Sequence, residues 1–143
     1  FLTVDRFGAP RTAGGFSCRP HDLLLLGEMM MNEGVGQSGR IVPARFIEDM
    51  MKNGDEKIWA EGDQADFLPG GRYRSQWYQL GGESQTFMAV GIHGQFLYVD
   101  PETRTVIVKF ASQEEPADDP LDQENLAFFR RLCAEQVAAE NWS

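Results

Sequence analysis

The sequence has little that would take it into a membrane, a metal site or a nucleic-acid complex. In 143 residues no apolar run is longer than four, as at Leu23–Leu26, far short of the roughly 20 residues of a spanning helix. Basic residues are scarce: 13 Lys and Arg stand against 22 Asp and Glu, a net charge of −9. Nucleic-acid partners require clustered Lys and Arg, so that class is excluded. There are two cysteines, Cys18 and Cys133, far apart and without metal-ligand spacing. They read as two reduced, partly buried thiols, with one long-loop disulfide as the alternative. There are two histidines, His21 and His93. No H-x-x-x-H, C-x-x-C or acidic Ca²⁺ loop occurs, so no metal is expected, and no glycine loop that cradles phosphate precedes a helix. No cofactor is implied. No serine is followed by Lys at the third position. The chain begins at Phe1 without Met or a signal peptide, which reads as a processed or truncated piece. The compartment is not legible there, with a cytoplasmic location favoured.

What is present is the pattern of one α+β domain, or part of one. The centre is Phe87 to Ser112, read as two strands, Phe87–Val99 and Thr105–Ala111, joined by the turn Asp100-Pro101-Glu102-Thr103. Both are apolar on both faces, so both faces should be covered. Gly91-Ile92-His93-Gly94 interrupts the first; glycines there mark a bulge, a kink or a close approach of a ligand or another backbone. A strand over Tyr73–Leu80 would complete a three-stranded antiparallel meander. Helices are predicted over Pro20–Asn32, Pro43–Lys52 and Gln123–Glu140, the last with Asp122 as N-cap and Leu121 and Leu126 at hydrophobic-staple spacing. Residues 1–18 are loop-like, and residues 55–72 read as a long surface loop anchored by Trp59 and Phe67. The organisation is thus a loop and helical region (1–72), a meander (73–112) and a C-terminal helix (121–141). One cover helix for doubly apolar strands suggests that sequence outside this chain covers the sheet.

Few residues could carry chemistry. His21, in the first turn of a helix, reads as structural. His93, between two glycines, is the better functional candidate, alongside a satisfied core imidazole. Gly36-Gln37-Ser38-Gly39 resembles a fragment of a nucleophile elbow, but the spacing is wrong and no strand precedes it, so it reads as a surface turn.

Several stretches together resemble the serine β-lactamase-fold hydrolases. They are Ala13-Gly14-Gly15-Phe16, the helix ending Met29-Met30-Met31-Asn32-Glu33-Gly34, Arg74-Ser75-Gln76-Trp77-Tyr78, and Ala89-Val90-Gly91-Ile92-His93-Gly94-Gln95 followed by Tyr98-Val99-Asp100-Pro101. The G-I-H-G-Q version looks closest to the 6-aminohexanoate-dimer hydrolase branch. The resemblance spans nearly the whole chain but only the C-terminal part of the family's sequence. It implies a sheet flanked by helices, a helical subdomain and a site between them. The nucleophile lies in a Ser-x-x-Lys motif, and a Tyr shares the proton transfer; neither motif is here. On this alignment Gly91 falls on the glycine of the family's Lys/His-Thr-Gly triplet, with Ala89 and Val90 in place of its first two residues. That departure removes the cation that binds a β-lactam carboxylate. Ile92 falls where the family uses a backbone N–H as half of the oxyanion hole. His93, Gly94 and Trp77 fall in substrate-binding positions. The implied partners are a small amide or ester substrate and the missing N-terminal portion of the same protein. The competing readings are a non-catalytic binding or interaction module and a lone α+β domain whose glycine pair is only a bulge.

Overall fold

The computed structural model describes residues 3–10 and 17–140. In order they form α1 (Pro20–Met31), β1 (Val35–Gly36), β2 (Gly39–Arg40), α2 (Ala44–Lys52), α3 (Glu56–Ala60), β3 (Arg72–Arg74), β4 (Trp77–Gln79), β5 (Phe87–Gly91), β6 (Gln95–Asp100), β7 (Thr105–Lys109) and α4 (Asp119–Glu140). Strands β3 to β7 form one sheet in chain order, each antiparallel to the next. β1 and β2 form a separate two-residue hairpin around Gln37-Ser38, so that serine lies on a surface turn. The class is α+β, with an antiparallel sheet and a C-terminal helix.

Helix boundaries follow local chemistry. Pro20 opens α1, where its missing N–H costs nothing. Asp22 accepts from the Arg19 main-chain N–H at 3.4 Å and from its guanidinium at 2.9 and 3.1 Å. The helix ends at Met31, and in the turn that follows Gly34, with φ +85°, donates its N–H to Met29 O at 2.8 Å. In α4 the Asp118 carboxylate accepts from Leu121 N–H at 3.1 Å. The helix therefore starts at Asp119, four residues before the predicted Gln123. Asp122 is not a cap but a buried first-turn residue.

The sheet departs from the predicted meander in two places. Tyr73–Leu80 is not one strand but the hairpin β3–β4, folded at Ser75 and Gln76, with φ of 53° and 69°. Phe87–Val99 is not one strand but the hairpin β5–β6, folded at Ile92-His93-Gly94. The Asp100–Thr103 turn forms as expected: Asp100 accepts from Glu102 N–H at 3.0 Å and from the Thr103 hydroxyl at 2.9 Å. Residues 55–72 include the short helix α3. Trp59 and Phe67 do anchor that segment: Trp59 Nε1 donates to Leu68 O at 2.8 Å, and Phe67 is buried.

Both faces of the sheet are covered within the chain. On one, Phe67, Leu68, Met88, Phe96 and Tyr98 pack with Leu126, Phe129 and Cys133 of α4. On the other, Trp77, Phe87, Leu97 and Val99 pack with Met29 and Met30 of α1 and Ile47 and Met50 of α2. The expectation of a single cover helix is corrected, since α1 lies along β6 and β7 and is not set apart from the sheet.

Candidate functional site

In a meander, alternate turns share an end of the sheet. The β3–β4 turn (Ser75-Gln76) and the β5–β6 turn (Ile92-His93-Gly94) therefore lie together, opposite the Asp100–Thr103 turn. The β5–β6 ladder runs from Phe87↔Val99 to Gly91↔Gln95 and leaves three residues for the loop. This turn gathers four of the five residues singled out in the sequence.

Gly91 ends β5, exposed, with φ outside the left-handed region. A Cβ on it would meet Gln95 Cβ at 3.1 Å and no backbone that close. Ile92 lies in the turn rather than in a strand and is 67% exposed. Its main-chain N–H has no hydrogen-bond partner among the described residues. His93 is half-buried at φ 60°. Its N–H donates to Pro116 O at 3.0 Å, its carbonyl accepts from Gln113 N–H at 3.2 Å, and ring Nδ1 lies 2.9 Å from Gln113 O.

Gly94 is buried, with φ +77°. A Cβ there would lie 1.4 Å from Gln113 Oε1, so its lack of a side chain seats Gln113. Trp77 points into the α2 side of the core, 9% exposed, its ring centroid 5.3 Å from that of Phe87. It supports β5 from behind and does not face an open cleft.

Sequence reading missed the groups that hold this turn from the far side. Lys109 Nζ donates to Gly94 O at 3.2 Å and to Gln113 Oε1 at 3.1 Å. Gln95 Nε2 donates to His93 O at 3.2 Å and also to Ala111 O. Asp122 is buried nearby, and its Oδ1 has no hydrogen-bond partner among the described residues. Burial pushes its carboxyl above the ordinary range, opposed by Gln113 and Lys109. Gln113 lies between the predicted meander, which ends at residue 112, and the predicted C-terminal helix. The available signal was the pairing Phe96↔Lys109, which carries the chain after β7 alongside Gly94.

Other titratable groups are unsuited to nucleophilic work. Burial, with Cys133 beside it, pushes the Tyr98 hydroxyl up to about 12. Burial also raises the Cys133 thiol, and a thiol is a poor nucleophile when its thiolate is disfavoured. Cys18 and Cys133 are both free. His21 is exposed. Among the described residues no cluster of three or more His, Cys, Asp or Glu could hold a metal, and no helix is long and apolar enough to cross a membrane. A cleft of about 620 Å³ beside Trp59, Tyr73 and Tyr78, and another of about 700 Å³ beside Tyr98 and Cys133, do not include Gly91, Ile92 or His93.

No protein-family model matches the chain. Over 115 residues it is 36% identical to the 6-aminohexanoate-dimer hydrolase of Paenarthrobacter ureafaciens, a match covering 80% of this chain. Over that stretch the chain is similar to this 6-aminohexanoate-dimer hydrolase. A solved structure from Bacillus anthracis, provisionally named as a 6-aminohexanoate-dimer hydrolase, superposes with a TM-score of 0.74 at 26% identity and covers 94% of this chain. The chain spans 29% of the length of the first protein and 33% of the second. The 6-aminohexanoate-dimer hydrolase relationship agrees with the G-I-H-G-Q resemblance. Ala13–Phe16, also quoted for it, lies outside the described residues.

Proposed function

We propose that the chain is the C-terminal part of a serine hydrolase that cleaves amide or ester bonds by acyl-enzyme chemistry. It supplies the Ile92 main-chain N–H as one oxyanion donor, and the Ser-x-x-Lys and Tyr come from elsewhere in the protein. The observation that carries this reading is an unpartnered N–H on an exposed turn whose neighbouring residues are tied down. Acyl transfer develops negative charge on a carbonyl oxygen. A donor already fixed toward that oxygen stabilises it without reorganisation, by about 3–4 kcal/mol. Gly91 lets the acyl group come close to the strand end. His93 and Gly94 shape the turn, and Trp77 backs β5.

A second reading is a binding module without catalysis. It is supported by Ala89 and Val90 standing where the family's triplet carries a cation and a hydroxyl.

The test is Gly91→Val in the complete hydrolase. Val suits a strand, and the nearest group, Gln95, can yield by a few tenths of an ångström. We expect kcat/KM to fall about 10²-fold or more, with Tm nearly unchanged. Equal rates would remove this turn from the mechanism.

A further inference from the structure

His93 makes more bonds than a substrate-facing residue needs. Its main chain gives and takes one bond each with residues 116 and 113, its carbonyl takes a second bond from Gln95, and its ring reaches Gln113 O at 2.9 Å. A carbonyl oxygen only accepts, so Nδ1 must carry the hydrogen, and the neutral ring is the Nδ1–H tautomer with its lone pair on Nε2. The backbone there is left-handed, φ 60°, a conformation that non-glycine residues seldom adopt and in which Asn, Asp and His are the commonest exceptions. Next to it, Gly94 leaves its Cβ space to the Gln113 side chain, which Lys109 ties to Gly94 O.

From this convergence we infer that His93 is a positioning residue: its Nδ1–H anchors the Ile92 turn to the segment 111–116 and so fixes the direction of the Ile92 N–H. The catalytic consequence rests on the proposed oxyanion role of Ile92, whereas the brace is a property of this chain alone. The sequence placed His93 in a substrate-binding position; the geometry assigns it to the support of the turn instead.

The proposal is tested in two arms. In this chain, ¹⁵N NMR of the His93 ring should report the Nδ1–H tautomer, and hydrogen exchange is followed at the His93 and Gln113 amides. His93→Ala should speed exchange at both about tenfold. His93→Asn should restore protection, because Asn tolerates left-handed backbone and its side-chain N–H stands near where Nδ1–H stood. An Nε2–H tautomer, or exchange unchanged in His93→Ala, would overturn the brace whatever the protein's activity. In the complete hydrolase, His93→Ala should lower kcat more than it raises KM, and His93→Asn should recover much of that loss. If His93→Asn restores amide protection but not kcat, Nε2 touches substrate and the positioning role is wrong. If Gly91→Val leaves the rate unchanged while the exchange pattern holds, the oxyanion reading fails and the brace stands.

Discussion

At Gly27 of α1 the sheet comes so close that a Cβ would stand 2.5 Å from Val106 Cγ1 and 3.0 Å from Leu97 Cδ1. Val106 is β-branched and stiff at χ1, so it cannot swing aside. Gly27→Ala should gain about 1 kcal/mol of helix propensity and lose about 1–3 kcal/mol to overpacking. We expect net destabilisation of about 1 kcal/mol in denaturant unfolding; a stabilised variant would mean that α1 can lift from β7. Asp122 gives the second residue-scale prediction. Its folded pKa lies above the unfolded value of about 3.9, so the folded state holds the proton more tightly. Any stability from this group is present below the unfolded pKa and is lost as pH rises through the folded one. Asp122→Asn lacks that loss. Its stability relative to the parent should increase from pH 3 to pH 7, read from parallel urea titrations. A pH-independent difference would show that Asp122 ionises without penalty.

At the scale of elements, the two hairpins explain what the sequence concealed. In β5–β6 every paired number sums to the same even total, as in Phe87↔Val99 and Gly91↔Gln95. Odd residues therefore face α1 and α2, and even residues face α4, on both strands. A single straight strand gives the same assignment, so apolar alternation could not separate the two. In β3–β4 the sum is odd, which brings Tyr73 and Tyr78 to one face with ring centroids 4.7 Å apart. Only a recognised turn would have shown this, and Ser75-Gln76 carries no Asn or Gly to mark it. Helices α1 and α2 were legible because Pro20 and Gly34, and the stripe of Ile47 and Met50, carry their own start, stop and face. The Gly91–Gly94 stretch was legible as special, but its form depended on a register fixed only by tertiary pairing. Two consecutive left-handed residues form the pattern that Asn-Gly satisfies in two-residue hairpins. Replacing Ser75-Gln76 by Asn-Gly should raise stability by about 1 kcal/mol, measured as a shift in the urea midpoint at constant slope. A loss would mean that the native side chains make contacts worth more than the backbone strain.

At the scale of the molecule, one chain builds a sheet closed on both faces yet presents its candidate donor at the rim, outside the lining of the Trp59 and Cys133 clefts. On the proposed reading, that arrangement would make a limited contribution to catalysis. Enzymatic acceleration at its lower end removes about 8 kcal/mol from a barrier, and one oxyanion donor supplies about 3–4 kcal/mol. The remainder must come from a nucleophile and proton transfer. This chain has no Ser-x-x-Lys, and its buried Cys133 and Tyr98 are held in their neutral forms. The purified 143-residue chain should therefore hydrolyse a chromogenic short-chain ester only at the background rate. Adding the remaining polypeptide of the same protein in trans should restore turnover if the two parts reassociate. Turnover by this chain alone that titrates with a serine-directed inhibitor would place a nucleophile among its own serines and overturn the division of labour proposed for the Ile92 turn.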